Sequence, residues 1–194
     1  MNLKKKIRVL FIGNSHTYYN DMPELFRQRA EEDGVSCEVT MLAHGGWRLS
    51  QHVKEPEVSF NIRCGHYDYI VLQEHAHPFV PFAEYEESVT TLTDWIRAAG
   101  AVPVLYLSWA KRTEPEKQQE MTEAAEKMAA KTSALLAPVG ERWWEYRAAH
   151  PDVEFYQKDD AHATRAGSAF AAGLIWETIR GDMEKGSTKK RLKP

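Results

Sequence analysis

The sequence predicts an α/β fold, a three-layer α/β/α sandwich built on a central, mostly parallel five-stranded sheet. Two observations carry this. Short runs rich in β-branched and aromatic residues alternate with amphipathic helical patterns along the 194 residues. No repeat or long linker interrupts the alternation. Parallel strands need a covering crossover element between them, so such alternation puts helices on both faces of the sheet.

Taken in order, the run Val9 to Ile12 makes a first strand that breaks at Gly13 into Asn14, Ser15, His16 and Thr17. Ligands of open α/β sheets bind at the carboxyl ends of strands, which leaves Ser15 at such a mouth with its hydroxyl free to act. Serine also fills turns and caps helices without any chemistry. Asp21 before Pro23 is a helix-start signal, and Leu25, Phe26 and Ala30 keep helical spacing over residues 22–33, up to Gly34. Cys37, Val39 and Met41 alternate with Glu38 and Thr40, a half-buried second strand that ends at Ala43, His44, Gly45 and Gly46. The two glycines suit either a plain loop or a backbone that approaches a ligand closely. Residues 49–64 read as irregular, with a short helix near 49–54 and a break at Pro56.

Residues 67–72 make the third strand, whose carboxyl end delivers Gln73, Glu74, His75, Ala76 and His77. Tyr85, Val89, Leu92 and Ile96 mark a helix over 84–99, closed by Gly100. Residues 102–107 form the fourth strand, ending at Ser108 and Trp109. A long helix over 113–136 has an apolar stripe of Met121, Ala125 and Met128 opposite a charged face. A short fifth strand over 134–139 and an aromatic helix over 141–149 follow, the latter with Trp143 and Trp144 as packing residues. Phe155 and Tyr156 lead to Asp159 and His162, and Thr164 caps a last helix. The expected organisation is a single domain over 1–180 and a basic, disordered tail over 181–194.

A composition of 43% hydrophobic and 27% charged residues supports one well-covered core. With a net charge of −3 no whole-chain field draws nucleic acid or an anionic membrane, so neither is an expected partner. The apolar run after Lys6 is too short for a signal-peptide core or a membrane span, which makes a cytoplasmic location the expectation. Cys37 and Cys64 are too few for a disulfide framework and are expected as reduced, structural thiols. His44, His52, His66, His75 and His77 raise a metal reading but lack matched ligand spacing, so neither metal nor cofactor is expected. Tyr18, Tyr19, Trp47 and Trp109 raise another, a catalytically silent carbohydrate-binding module, against which a near-complete Ser, His, Asp set argues.

A nucleophile, a base within hydrogen-bond reach and an orienting carboxylate need only converge in space, and Ser15, His162 and Asp159 can supply them. The block Gly13-Asn14-Ser15-His16-Thr17 after the first strand, and Asp159-Asp160-Ala161-His162 followed by Thr164 and Gly167, resemble the first and last blocks of the GDSL/SGNH hydrolase family. Together they bracket nearly the whole chain. The resemblance implies a flavodoxin-like sandwich and a serine esterase in which Ser15 is the nucleophile, His162 the base and Asp159 the residue that orients it. It further implies an oxyanion hole made by backbone N–H groups of Ser15 and of Gly46, with Gly45 as the fallback. Asn14 stands where the family usually has Asp, and Ala163 where Pro often follows the histidine. The family's third block, Gly-x-Asn-Asp with an oxyanion-binding Asn, has no match after the third strand, where Leu72-Gln73-Glu74-His75 stands instead. Gln73 either supplies an amide N–H there or satisfies backbone groups at the strand end, and His77 is the next candidate. His16, Tyr18, Trp47, His75, His77 and Trp109 are expected around the substrate. Few residues are spare for a lid, so small acyl esters are favoured, including O-acetyl groups on carbohydrate.

Overall fold

In the computed structural model, which describes residues 6–191, the five strands are β1 (Lys6–Gly13), β2 (Ser36–Ala43), β3 (Tyr69–Gln73), β4 (Val102–Tyr106) and β5 (Leu135–Ala137). They form one sheet in the order β2-β1-β3-β4-β5, and every pairing is parallel. Side chains alternate across a pleated strand, and the sequence uses this on both faces. Val9 and Phe11 of β1, Val71 of β3 and Val104 of β4 enter one core, while Leu10, Ile12, Ile70, Leu72 and Leu105 enter the other. The chain leaves β1 toward β2 on one side and continues from β3 on the other. Between the carboxyl ends of β1 and β3 the crossovers diverge, and this is where a doubly wound sheet opens a crevice.

Among the described residues the helices are α1 (Ser15–Tyr18), α2 (Met22–Glu32), α3 (Leu49–His52), α4 (Pro56–Cys64), α5 (Phe82–Ala98), α6 (Lys117–Thr132), α7 (Val139–Ala149) and α8 (Arg165–Arg191), with a 3-10 turn at Tyr19–Asp21. Helices α2, α7 and α8 pack on the first face through Phe26, Trp143, Ile175 and Trp176; α3, α4 and α5 cover the second through Leu49, Ile62, Val89 and Leu92.

Four expectations are corrected. The stretch 49–64 is helical, because Pro56 stands in the first turn of α4, where a missing N–H costs nothing, and Val58 and Ile62 fall four apart on its buried side. Asp21 starts α2 without capping it: Asn20 and Asp21 are both left-handed, with φ of 55° and 54°, and the Asp21 side chain makes no cap bond. Helix α6 is shorter than 113–136 at both ends. The segment after Gly181 continues α8 to Arg191. Met183 is buried in the core, the Tyr69 hydroxyl donates to Asp182 (3.0 Å), and Arg180 pairs with Asp33 (2.7 Å), so this turn of helix has partners a solvated tail would lack. Residues 192–194 of the expected tail lie outside the described residues. Cys37 is buried and Cys64 exposed, neither in a disulfide.

Candidate active site

The turn that carries Ser15 is held by one glutamine. Gln73, fully buried at the end of β3, accepts with Oε1 from the Asn14 N–H (2.9 Å) and from the Thr17 hydroxyl (2.9 Å), and its Nε2 donates to the Glu74 carbonyl. The fit leaves no room at Gly13, where a Cβ would collide with Thr17 Oγ1 and Gln73 Oε1. Asn14 caps α1 by accepting from the His16 N–H (3.1 Å) and, through Nδ2, donates to the Trp47 carbonyl (2.9 Å). That second bond draws the glycine loop after β2 against the nucleophile turn. His52 Nε2 lies 2.8 Å from the Gly13 carbonyl, which also accepts from the His44 N–H (3.1 Å). The N–H groups of Ser15 and Gly46 donate to no other group among the described residues, as expected of donors at a helix start and in a loop.

The opposite wall comes from the loop before α8. Asp159 Oδ1 accepts from the N–H groups of Ala161 and His162 (3.0 Å each), and its Oδ2 lies 2.6 Å from His162 Nδ1. An Nδ1–H donating there leaves Nε2 bare, and Nε2 is 2.8 Å from Ser15 Oγ. The loop is braced from three sides. Trp109 Nε1 donates to the Ala161 carbonyl (2.8 Å). The Arg112 guanidinium pairs with Glu154 (2.6 Å) and Asp160 (2.9 Å), and its N–H donates to the Asp160 carbonyl (2.9 Å). Asn20 Nδ2 donates to the Ala163 carbonyl (2.9 Å), joining this loop to the chain just after α1.

Burial pushes the Asp159 carboxyl up, but hydrogen bonds from the His162 ring and from the two backbone N–H groups overcome this and hold it at about 2. His16 and His77 are driven toward the neutral form by burial first, and after it by neighbouring imidazoles at His16 and by the Lys111 ammonium at His77. His16 sits well below the usual histidine value, and His77 is pushed down to about 4 against the pull of the Trp109 carbonyl. The His16 ring lies 5.3 Å from that of His162.

Ser15, Asp159 and His162 are therefore brought together, with the glycine loop alongside. Several expected neighbours are not at the surface of the site. Trp109 is 1% exposed and stacked on Trp143 at 3.8 Å, so it belongs to the core and braces the loop instead of meeting substrate. His16 is buried behind His162 and packs on His77 (4.8 Å), whose Nε2 donates to the Trp109 carbonyl (2.9 Å). The oxygen of Gln73 is bound to the nucleophile turn and its nitrogen to Glu74, so the backbone-satisfying alternative is the one realised. His75 Nδ1 is 2.8 Å from the Pro78 carbonyl. Tyr18, Tyr19 and Trp47 are half-buried, and the Tyr19 ring reaches the His162 ring at 4.2 Å. Sequence reasoning missed Arg112, Asn20 and Thr17, whose partners are distant in the chain and leave no local pattern. Among the described residues no group of three or more His, Cys, Asp or Glu side chains could hold a metal ion, and no helix is long and apolar enough to cross a membrane.

No family model matches the sequence, and neither does any curated protein. Solved structures do. An acetylxylan esterase from Geobacillus stearothermophilus shares the fold at a TM-score of 0.71 and 13% identity, over 92% of this chain and 96% of that one. A psychrotrophic esterase from Pseudoalteromonas does so at 0.69 and 12%, over 91% and 98%. A protein from Slackia heliotrinireducens, described as an SGNH hydrolase, aligns over 90% of this chain and all of its own length at a TM-score of 0.79 and 31% identity. Likeness at that identity over a whole chain reaches beyond shared architecture, and with the parallel sheet and its order it places this chain in the SGNH hydrolase family.

Proposed function

We propose that this protein is a serine esterase that cleaves small acyl esters, O-acetyl groups on carbohydrate among them, through an acyl-enzyme on Ser15. The observation that carries the reading is the hydrogen-bonded chain from Ser15 Oγ to His162 Nε2 (2.8 Å) and from His162 Nδ1 to Asp159 (2.6 Å). In this mechanism His162 takes the Ser15 proton as Oγ attacks the ester carbonyl carbon. The carbonyl oxygen gains the negative charge and is met by the N–H groups of Ser15 and Gly46; one such donor is worth about 2.7–4 kcal/mol of barrier. Asp159, ionised throughout the working range, stabilises the imidazolium. Collapse of the intermediate breaks the ester C–O bond, and the alcohol leaves with the proton from His162. Water, deprotonated by His162, then attacks the acyl carbon and frees the acid and Ser15.

The small-acyl preference is supported by the aromatic neighbourhood of Tyr18 and Tyr19, stacked at 5.6 Å, which suits a sugar ring better than a long chain. An acetylxylan esterase among the structures of like fold is consistent with it. The test is labelling of Ser15 by a fluorophosphonate together with a panel of acetyl to decanoyl esters. Labelling at Ser15 and a rate that falls with chain length are expected. An unlabelled Ser15 overturns the mechanism, and preference for decanoyl esters overturns the substrate class.

A further inference from the structure

Next to Gln73 lies a carboxylate that the mechanism above does not use. Glu74 is 6% exposed at the carboxyl end of β3. Its Oε1 accepts two backbone N–H groups, that of Leu49 (3.1 Å) and that of His75 (2.6 Å), while Oε2 is buried without a partner. Leu49 opens α3 three residues after Gly46, in the loop that carries the proposed oxyanion donor. His75 opens the segment that delivers His77 against His16, behind His162. One side chain thus ties together the two loops that flank the nucleophile turn.

A structural tie needs only a neutral amide, as Gln73 demonstrates one position earlier. A carboxyl group buried with an orphan oxygen is costly, and its bonds to backbone N–H groups are about twice as strong when it is ionised as when it is neutral. Resting on the proposed function, we propose that Glu74 is a positioning residue for ester hydrolysis: its carboxylate holds the Gly46 loop and the His75–His77 segment in register, so that the oxyanion side of the site is fully assembled only when Glu74 is ionised. Burial pushes this carboxyl up to about 7, against the pull of the two N–H groups, which puts the change of state inside the working range. The titratable and charged groups that face it are Arg48 beside α3, Glu84 and Tyr85 of α5, and His75. Arg48 and Glu84 are paired with each other at 3.0 Å, so neither is a dedicated counter-ion for Glu74.

The test compares the wild type with Glu74→Gln, which keeps an acceptor oxygen but holds the position neutral at every pH. Hydrolysis of para-nitrophenyl acetate is measured from about pH 5 to about pH 9. In the wild type, kcat should fall on the acid side more steeply than the loss of one ionisation allows. In Glu74→Gln it should follow a single ionisation and lie up to about 100-fold below wild type on the alkaline side, the scale of loss when a mutation misplaces reacting groups, with KM little changed. Two profiles that stay parallel, or equal rates on the alkaline side, overturn the proposal. A second readout needs neither the variant nor activity: in the Ser15→Ala protein, the amide proton resonances of Leu49 and His75 should move together as pH rises through about 7. Amides that do not respond overturn the proposal even where the esterase reading stands. Amides that respond in a protein whose wild-type form hydrolyses no ester would instead fault the esterase reading alone.

Discussion

The two walls of the candidate site are built by different means. The nucleophile turn is secured across long sequence separations by buried neutral groups: Gln73 reaches back to Asn14 and Thr17, Asn14 to Trp47, and His52 to Gly13. The base wall is local and wetter. Asp159 and His162 are three residues apart, the Asp159 side chain is 48% exposed, and its geometry is set by the turn's own N–H groups. Outside bracing comes from Trp109, Arg112 and Asn20. A buried wall of this kind tolerates little change in volume or hydrogen bonding, whereas the exposed one should lose chemistry readily and stability hardly at all.

The largest effect should fall equally on both walls. Ser15→Ala and His162→Ala should each lower kcat by about 10⁴- to 10⁶-fold, with little further loss in the double variant, because groups that act as a unit do not add. Unequal losses, with His162→Ala still active, would break the proposed pairing. Asp159→Asn should lower kcat by up to about 10⁴-fold while leaving the melting temperature nearly unchanged, as expected if this wall contributes chemistry more than stability.

Gln73→Ala sharpens the contrast from the other side. It orphans the Asn14 N–H and the Thr17 hydroxyl, each worth about 1–3 kcal/mol when buried unpaired, so urea unfolding should shift to lower concentration and kcat should fall with it. A pH series separates the walls further. Asp159 is held below its ordinary value of 3.8 at about 2. The stability it contributes, small for a side chain this exposed to screening water, is therefore complete above the ordinary value and lost as pH falls through about 2. Urea midpoints of the wild type should fall across that window, and the part due to Asp159 should be absent in Asp159→Asn. The smallest effect is expected from Arg112→Ala: its partly exposed ion pairs are worth about 0.2–1 kcal/mol, so kcat should drop only a few-fold with the fold intact.

Wherever a signal is local, the sequence could be read. Alternation of Val9, Leu10, Phe11 and Ile12 across the pleat marks a strand buried on both faces, and Asp159 with His162 sits within one turn. Both patterns repeat over two to four residues, a range in which backbone geometry alone decides which side chains face each other. The same holds for the short, polar strand ends that place Ser15 and Gly46 at one edge of the sheet. What remained open in the sequence was the choice between partners. Whether the Gln73 amide served a substrate or its neighbours depended on which turn packs across it: its oxygen accepts from Asn14 and Thr17, 59 and 56 residues away, and its nitrogen donates to Glu74.

Trp109 and His16 illustrate the same limit. An aromatic residue at a strand end suits a ligand mouth as well as a core, and only the stacking of Trp109 on Trp143 and the packing of His16 on His77 assign them to the interior. Helix α4 and the extension of α8 past Gly181 were hidden because their apolar contacts are few, and it is the neighbouring surface that makes those few sufficient. The sequence by itself determined the alternation of strands and helices and the two-faced burial of the sheet, because each is encoded at the period of its own element; Ser15, Asp159 and His162 were marked instead by two short blocks that resemble those of the family. Only the tertiary structure decided what surrounds them: burial and hydrogen-bond partnership are properties of surfaces that meet across the chain, and no local period carries them.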